Sequence, residues 1–143
     1  MTHSICKTAL LGGLVVLVCA GLAAGSEVMV VANSSVKASH VDPSSLRDIF
    51  LGEKFSLPEG SKVTPVLLKN GPIHRAFLAA YIGKSEAGFQ AGWRNMVFTG
   101  RGSLLKTFDS EEALLDYVAK TPGAIGYASN TGGRANVKAI SVK

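Results

Sequence analysis

Apolar positions change period repeatedly along this chain, and the changes divide it into elements. Beyond a first apolar run, Thr8 to Cys19, a second fills Glu27-Val28-Met29-Val30-Val31-Ala32, near-continuous as in strands covered on both faces. Asn33-Ser34-Ser35 interrupts it. Residues of this kind turn a chain by bonding their own backbone, and loops at the carboxyl ends of strands also meet ligands, so Asn33 and Ser34 are candidate contacts. Asp42 as N-cap and Pro43 as first helical residue open a short helix with Leu46, Ile49 and Phe50 inward and Gly52 at its close. Phe55 to Ser61, carrying Pro58 and Gly60, is a connecting loop.

The stretch from Lys62 to Gly83 organises the rest. Its pattern predicts a strand from Val63 to Lys69, a tight turn at Asn70-Gly71-Pro72, and a helix through Tyr81 with Ile73, Phe77, Ala80 and Tyr81 on its apolar face. A helix starting just past a strand gathers free N–H groups and the positive end of the helix dipole at one point, which favours an anion. Lys69, Asn70, Gly71, His74 and Arg75 surround that point as candidate ligand-binding residues. The same stretch also reads as an ordinary connection with solvated cations.

Gly83 ends that helix and Ser85 caps the next, where Phe89, Trp93, Met96 and Val97 recur at helical spacing as a core stripe. Thr99-Gly100-Arg101-Gly102 follows, with two glycines that permit a close backbone approach and Arg101 as a second candidate anion contact. Asp109 and Glu112 match a capping box for a helix with Leu114, Leu115 and Val118 inward, stopped by Thr121-Pro122-Gly123. Ala124 to Ala128 reads as a strand, Asn130 to Asn136 as a Gly-rich turn, and Val137 to Val142 as a last strand. Strands alternating with helices predict an α/β domain of three αβα layers on a mixed sheet.

Composition alters this picture mainly at the start. Lys7, the apolar run and Ala23-Ala24-Gly25 have the layout of a secretory signal peptide, expected at residues 1–25, with one domain over residues 26–143. The run is short for a membrane anchor and lacks a cationic stop, so no membrane insertion is expected after cleavage. Both cysteines, Cys6 and Cys19, lie in this leader, leaving the domain without disulfide, thiol nucleophile or thiolate metal site. The net charge of +5 is spread along the chain, compatible with an anionic ligand, and without a recognition motif it does not suggest nucleic acid. No HExxH, GxSxG or GxxxxGKS pattern occurs, His40 with Asp42 makes at most two metal ligands, and the expectation is a non-enzyme without cofactor.

Leu46-Arg47-Asp48-Ile49-Phe50-Leu51-Gly52, the strand-turn-helix at Val63 to Tyr81, and Thr121-Pro122-Gly123-Ala124-Ile125-Gly126-Tyr127 occur in one order. Together they resemble the phosphate-binding protein of bacterial phosphate ABC transporters. With Thr99-Gly100-Arg101-Gly102, the chain is similar to short exported proteins labelled phosphate ABC transporter substrate-binding protein. The resemblance covers nearly all of residues 26–143 and implies a single lobe of the type II periplasmic-binding-protein fold. It further implies a periplasmic or secreted protein that binds phosphate or a similar oxyanion for a membrane transporter or sensor. The family's Ser-Gly-Thr at the helix start falls near Gly71-Pro72-Ile73, so its hydroxyls are replaced here by backbone and cationic donors. A ligand-free protein-interaction module with the same lobe fold is the alternative function. Intact-mass analysis of the exported protein is expected to find a chain beginning near Ser26; retention of Met1, or lipid on Cys19, overturns that expectation.

Overall fold

The computed structural model describes residues 28–102 and 105–143; the leader expected at residues 1–25 lies outside them. Strands β1 (Met29–Asn33), β2 (His40–Val41), β3 (Thr64–Leu68), β4 (Lys106–Phe108), β5 (Ala124–Ala128) and β6 (Val137–Val142) form one sheet in the order β2-β6-β1-β5-β3-β4. β1 runs antiparallel to both its neighbours, β5 and β6, while β3 is parallel to β4 and β5, and β2 to β6. Val30 to Ala32, central and covered on both sides, are fully buried. That burial is why the β1 sequence is an unbroken apolar run.

Side-chain alternation along the strands assigns the helices to two faces. Tyr127 of β5 points to one side, where its ring stacks on Phe77 at 4.0 Å between centroids and lies 6.1 Å from Phe50. That face carries α1 (Pro43–Phe50), α2 (Pro72–Phe77) and, outside them, α3 (Glu86–Phe98). Gly126, one residue earlier, faces α4 (Glu111–Lys120). A Cβ there would come within 3.0 Å of Val66 and 3.1 Å of Leu114, so the bare backbone lets α4 lie close on the sheet. The three-layer α/β arrangement is therefore present.

Most local signals behave as their chemistry requires. The Asp42 carboxylate accepts from the Ser45 N–H at 2.9 Å and from the Ser44 hydroxyl, bonds that hold its pKa far below the ordinary carboxylate range. Ser85 caps α3 through Gly88 N–H at 3.2 Å. Three expectations shift. Ser110, not Asp109, caps α4, accepting from Ala113 N–H at 3.2 Å, because the serine has the extended backbone an N-cap needs. The short β2 and β4 lack a legible alternation and form only beside β6 and β3. The helix after Pro72 widens into a π turn over Leu78–Ile82, closed by a Gly83 N–H to Leu78 carbonyl bond of 2.7 Å. The extra residue rotates the apolar face, so Leu78 and Ile82 are buried and Ala80, expected inward, is exposed.

Trp93 anchors α3. It is 8% exposed, and its indole N–H donates to the Phe50 carbonyl at 2.9 Å, tying α3 to the end of α1. Trp93→Ala is expected to lower unfolding free energy by about 3–5 kcal/mol in denaturant titrations, through the cavity and the orphaned Phe50 carbonyl. Unchanged stability would place the ring outside the core.

Candidate functional site

Parallel strands end at a common edge. The carboxyl ends of β3, β4 and β5 deliver Lys69-Asn70-Gly71, Asp109-Ser110 and Ser129-Asn130 to one side of the sheet. Chain connections diverge there: β3 leads into α2 on one face and β4 into α4 on the other. A crevice outside such a divergence is the usual ligand position in open α/β sheets. Two helix N-termini flank it, and they differ in what they already hold.

The start of α4 is occupied by its own chain. Ser110 caps it, Glu111 and Glu112 stand in its first turn, and Glu111 accepts the Ser129 N–H. The start of α2 has no side-chain cap and no acidic residue in its first turn. Gly71 takes φ 105° and ψ 172°, a conformation open to glycine, and Pro72 follows at the first helical position. The first i→i−4 bond is Arg75 N–H to the Gly71 carbonyl at 3.1 Å. The Ile73 and His74 N–H groups precede it and have no helical acceptor.

The structure separates the residues singled out in the sequence. Lys69, Asn70, Gly71 and Arg75 lie together at the α2 start; Lys69, Asn70 and Arg75 are exposed, and Lys69 Nζ is 3.8 Å from the Asp109 carboxylate. His74 belongs to the same turn, yet its side chain faces inward and is 2% exposed, so the expected surface donor is instead a core residue. Its Nδ1 meets the Tyr127 hydroxyl, and its ring is 6.5 Å from that of Phe89. Burial holds its pKa below the ordinary 6.5, against the attraction of Glu86, with Arg75 also lowering it.

Asn33, Ser34 and Arg101 stand at the opposite edge. Because β1 is antiparallel to β5, its carboxyl end lies beside the beginning of β5. Asn33 is buried there, donating to the Val118 carbonyl at 2.7 Å and the Ala119 carbonyl at 3.2 Å, while its Oδ1 accepts the Ser35 N–H at 2.9 Å. It finishes the carboxyl end of α4, a structural task, and Ser34 donates its N–H to the Asn136 carbonyl. Arg101 shares a cleft with Val63, Thr64 and Pro65, at the start of β3. At about 3.3 Å per residue, this is on the order of 20 Å from Asn70, too far for a second arm on one small anion.

Sequence reasoning missed Ser110, Ser129 and Asn130 as members of the carboxyl edge. The one usable signal was the turn chemistry of Ser129-Asn130, where Asn130 Oδ1 accepts Gly132 N–H at 2.8 Å. Among the described residues, no group of three His, Cys, Asp or Glu side chains is placed to hold a metal ion.

The architecture is that of a lobe found in solute-binding receptors. Solved structures of this fold include an ABC-type phosphate transport receptor from Vibrio cholerae, at TM-score 0.59 and 16% identity over 79% of this chain. A protein described as a phosphate ABC transporter substrate-binding protein, with bound phosphate, from Clostridium perfringens matches at TM-score 0.61 and 16% identity over 80% of this chain. PstS from Borrelia burgdorferi matches at TM-score 0.51 and 12% identity over 81% of this chain. This chain spans 44%, 44% and 47% of those three chains, the extent of a single lobe. Neither a protein-family profile nor a curated protein sequence matches it. The resemblance to phosphate-transport receptors carried by the motifs is thus found again in the fold.

Because the folded pKa of His74 is depressed, the unfolded chain takes up the proton first as pH falls. The His74 contribution to stability is intact above the ordinary value of 6.5 and is lost as pH drops through the lowered folded value. Denaturation midpoints measured from pH 8 down to about pH 5 should therefore hold steady at first and decline once pH falls below the ordinary value of 6.5. His74→Gln should flatten that decline; an equal slope in the variant would remove His74 as its cause.

Proposed function

We propose that this protein is an exported ligand-binding module, not an enzyme, which holds phosphate or a similar small oxyanion weakly at the start of α2 for uptake or sensing by a membrane transporter or sensor protein. The observation that carries this reading is the uncapped, acid-free N-terminus of α2 at the carboxyl end of β3. The fold shared with phosphate-transport receptors supports it.

In this reading the Ile73 and His74 N–H groups are the fixed donors, Gly71 lets the anion approach the backbone, and Asn70, Lys69 and Arg75 supply side-chain contacts. Asn33, Ser34, Arg101 and the His74 ring take no part, for the positions described above. Export fits the expected leader at residues 1–25, and among the described residues no helix is long and apolar enough to cross a membrane. The site is open and Lys69 has Asp109 beside it, so each contact is worth on the order of 1 kcal/mol and affinity on the order of millimolar follows. The protein-interaction reading draws on one observation, the exposure of Phe98 at 89% and Phe55 at 57%.

An NMR titration with sulfate at low salt decides between them, sulfate being chosen because its charge is constant near neutral pH. Amide shifts are expected at Asn70 to Arg75, should weaken with added salt, and should be lost in Arg75→Ala, while Ser34 and Arg101 stay unmoved. No shift at Asn70 to Arg75 at tens of millimolar sulfate rejects the oxyanion site.

A further inference from the structure

Beneath the α2 start lies a buried polar chain that anion binding at the surface does not use. The Leu68 N–H of β3 donates to the Tyr127 hydroxyl oxygen at 3.0 Å, and the same hydroxyl meets His74 Nδ1. The phenolic proton is buried and needs an acceptor of its own, and among the described residues the partner recorded for the hydroxyl besides the Leu68 N–H is His74 Nδ1, which assigns the phenol as donor to Nδ1. That arrangement requires a neutral imidazole carrying its proton on Nε2. The phenol is held firmly in its protonated form, since burial pushes the Tyr127 pKa well above the ordinary 10.

On the other side of the ring stands α3. Phe89 packs edge-on against His74, and Glu86, three residues before it, shares the same helix face. The Oε1 atom of Glu86 is buried, and among the described residues it accepts no hydrogen bond. An ionised oxygen held away from water without a donor is costly, and its field acts on the imidazole by favouring the protonated form. The Tyr127 hydroxyl of β5 touches the ring at Nδ1, and the charges that act on it are those of Glu86 on α3 and Arg75 on α2 itself. β3 contributes the Leu68 N–H, and α1 reaches the cluster with the Phe50 ring.

We propose that His74 is a proton-operated latch between β5 and α3: neutral, it accepts the Tyr127 proton at Nδ1 and ties α2 to β5; protonated, it gives up that bond and pairs with the Glu86 carboxylate. A proton from solvent added at Nδ1 sets two donors against each other and deprives the buried phenolic proton of its acceptor. Glu86, with its buried and unpartnered Oε1, is the acidic group whose charge favours the imidazolium. The peptide N–H of His74 is also one of the two fixed donors at the α2 start, so the surface site inherits the switch. That last step rests on the oxyanion reading, whereas the latch itself does not.

The test is NMR of the protein with 15N-labelled histidine, without added anion, the His74 ring being assigned by its loss in His74→Gln. At pH 8 the ring should show an unprotonated Nδ1 and a protonated Nε2, and its titration midpoint should lie below that of a free imidazole. Glu86→Gln should move the midpoint lower still, and Tyr127→Phe should move it up. A general loosening of the fold would raise it in both variants, so the opposite directions distinguish the latch from a merely structural role. An Nδ1–H ring at pH 8, a midpoint unmoved or raised by Glu86→Gln, or one unmoved or lowered by Tyr127→Phe overturns the proposal. Sulfate shifts at Asn70 to Arg75 are measured separately, so failure of the latch and failure of the oxyanion site give different results.

Discussion

A phenol buried in the middle of a sheet constrains everything stacked on it. Tyr127 is fully enclosed, so its hydroxyl has to find partners inside the protein, and it does so in the Leu68 N–H and the His74 ring. The hydroxyl therefore joins β3, β5 and α2 at one atom. The ring face lies on Phe77, with Phe50 tilted against both, and this aromatic cluster sets how α1 and α2 cover the sheet. The opposite face needs the reverse property: Gly126 removes a side chain so that α4 can approach. Adjacent residues of one short strand thus set the spacing of two layers.

The edge that carries the candidate site follows from that packing. With α2 and α4 held against opposite faces, both present their N-termini at the carboxyl ends of the parallel strands. Two positive helix ends at one edge would make a strong anion trap, but α4 already has the Ser110 cap and the acidic Glu111 and Glu112 at its own. The contrast makes α2 the distinguishing end, and on the oxyanion reading proposed above it is the reason for expecting weak affinity. An open helix start with a nearby Asp109 offers little desolvation to strengthen its contacts.

His74 shows how adjacent residues of one motif can part company in the fold. Within Asn70 to Arg75, a histidine beside an arginine at a helix start reads as a pair of surface cations. On a helix, however, neighbouring residues point about 100° apart, so one of two adjacent polar residues is free to turn inward. Arg75 is exposed and His74 is buried, and only the presence of Tyr127 beneath decides which. The π turn acted similarly, turning Ala80 outward and Ile82 inward through one inserted residue that the apolar spacing did not reveal.

What the sequence determined by itself was local: the strand limits of β5 and β6, the caps at Asp42 and Ser85, Pro72 at the head of α2, the breaks at Gly83 and Pro122, and the inward faces of α1 and α4. These depend on hydrogen bonds and apolar spacing within a few residues, which neighbouring residue types specify. Strand direction was not legible, and it decided at which edge each candidate residue stands. β1 runs against β5, which sends Asn33 and Ser34 to the far edge, where the Asn33 amide bonds the last carbonyls of α4. Arg101 was likewise placed by the packing of α3 beside the start of β3. A turn signal has the same composition at either end of a sheet, and only long-range pairing tells which end it occupies.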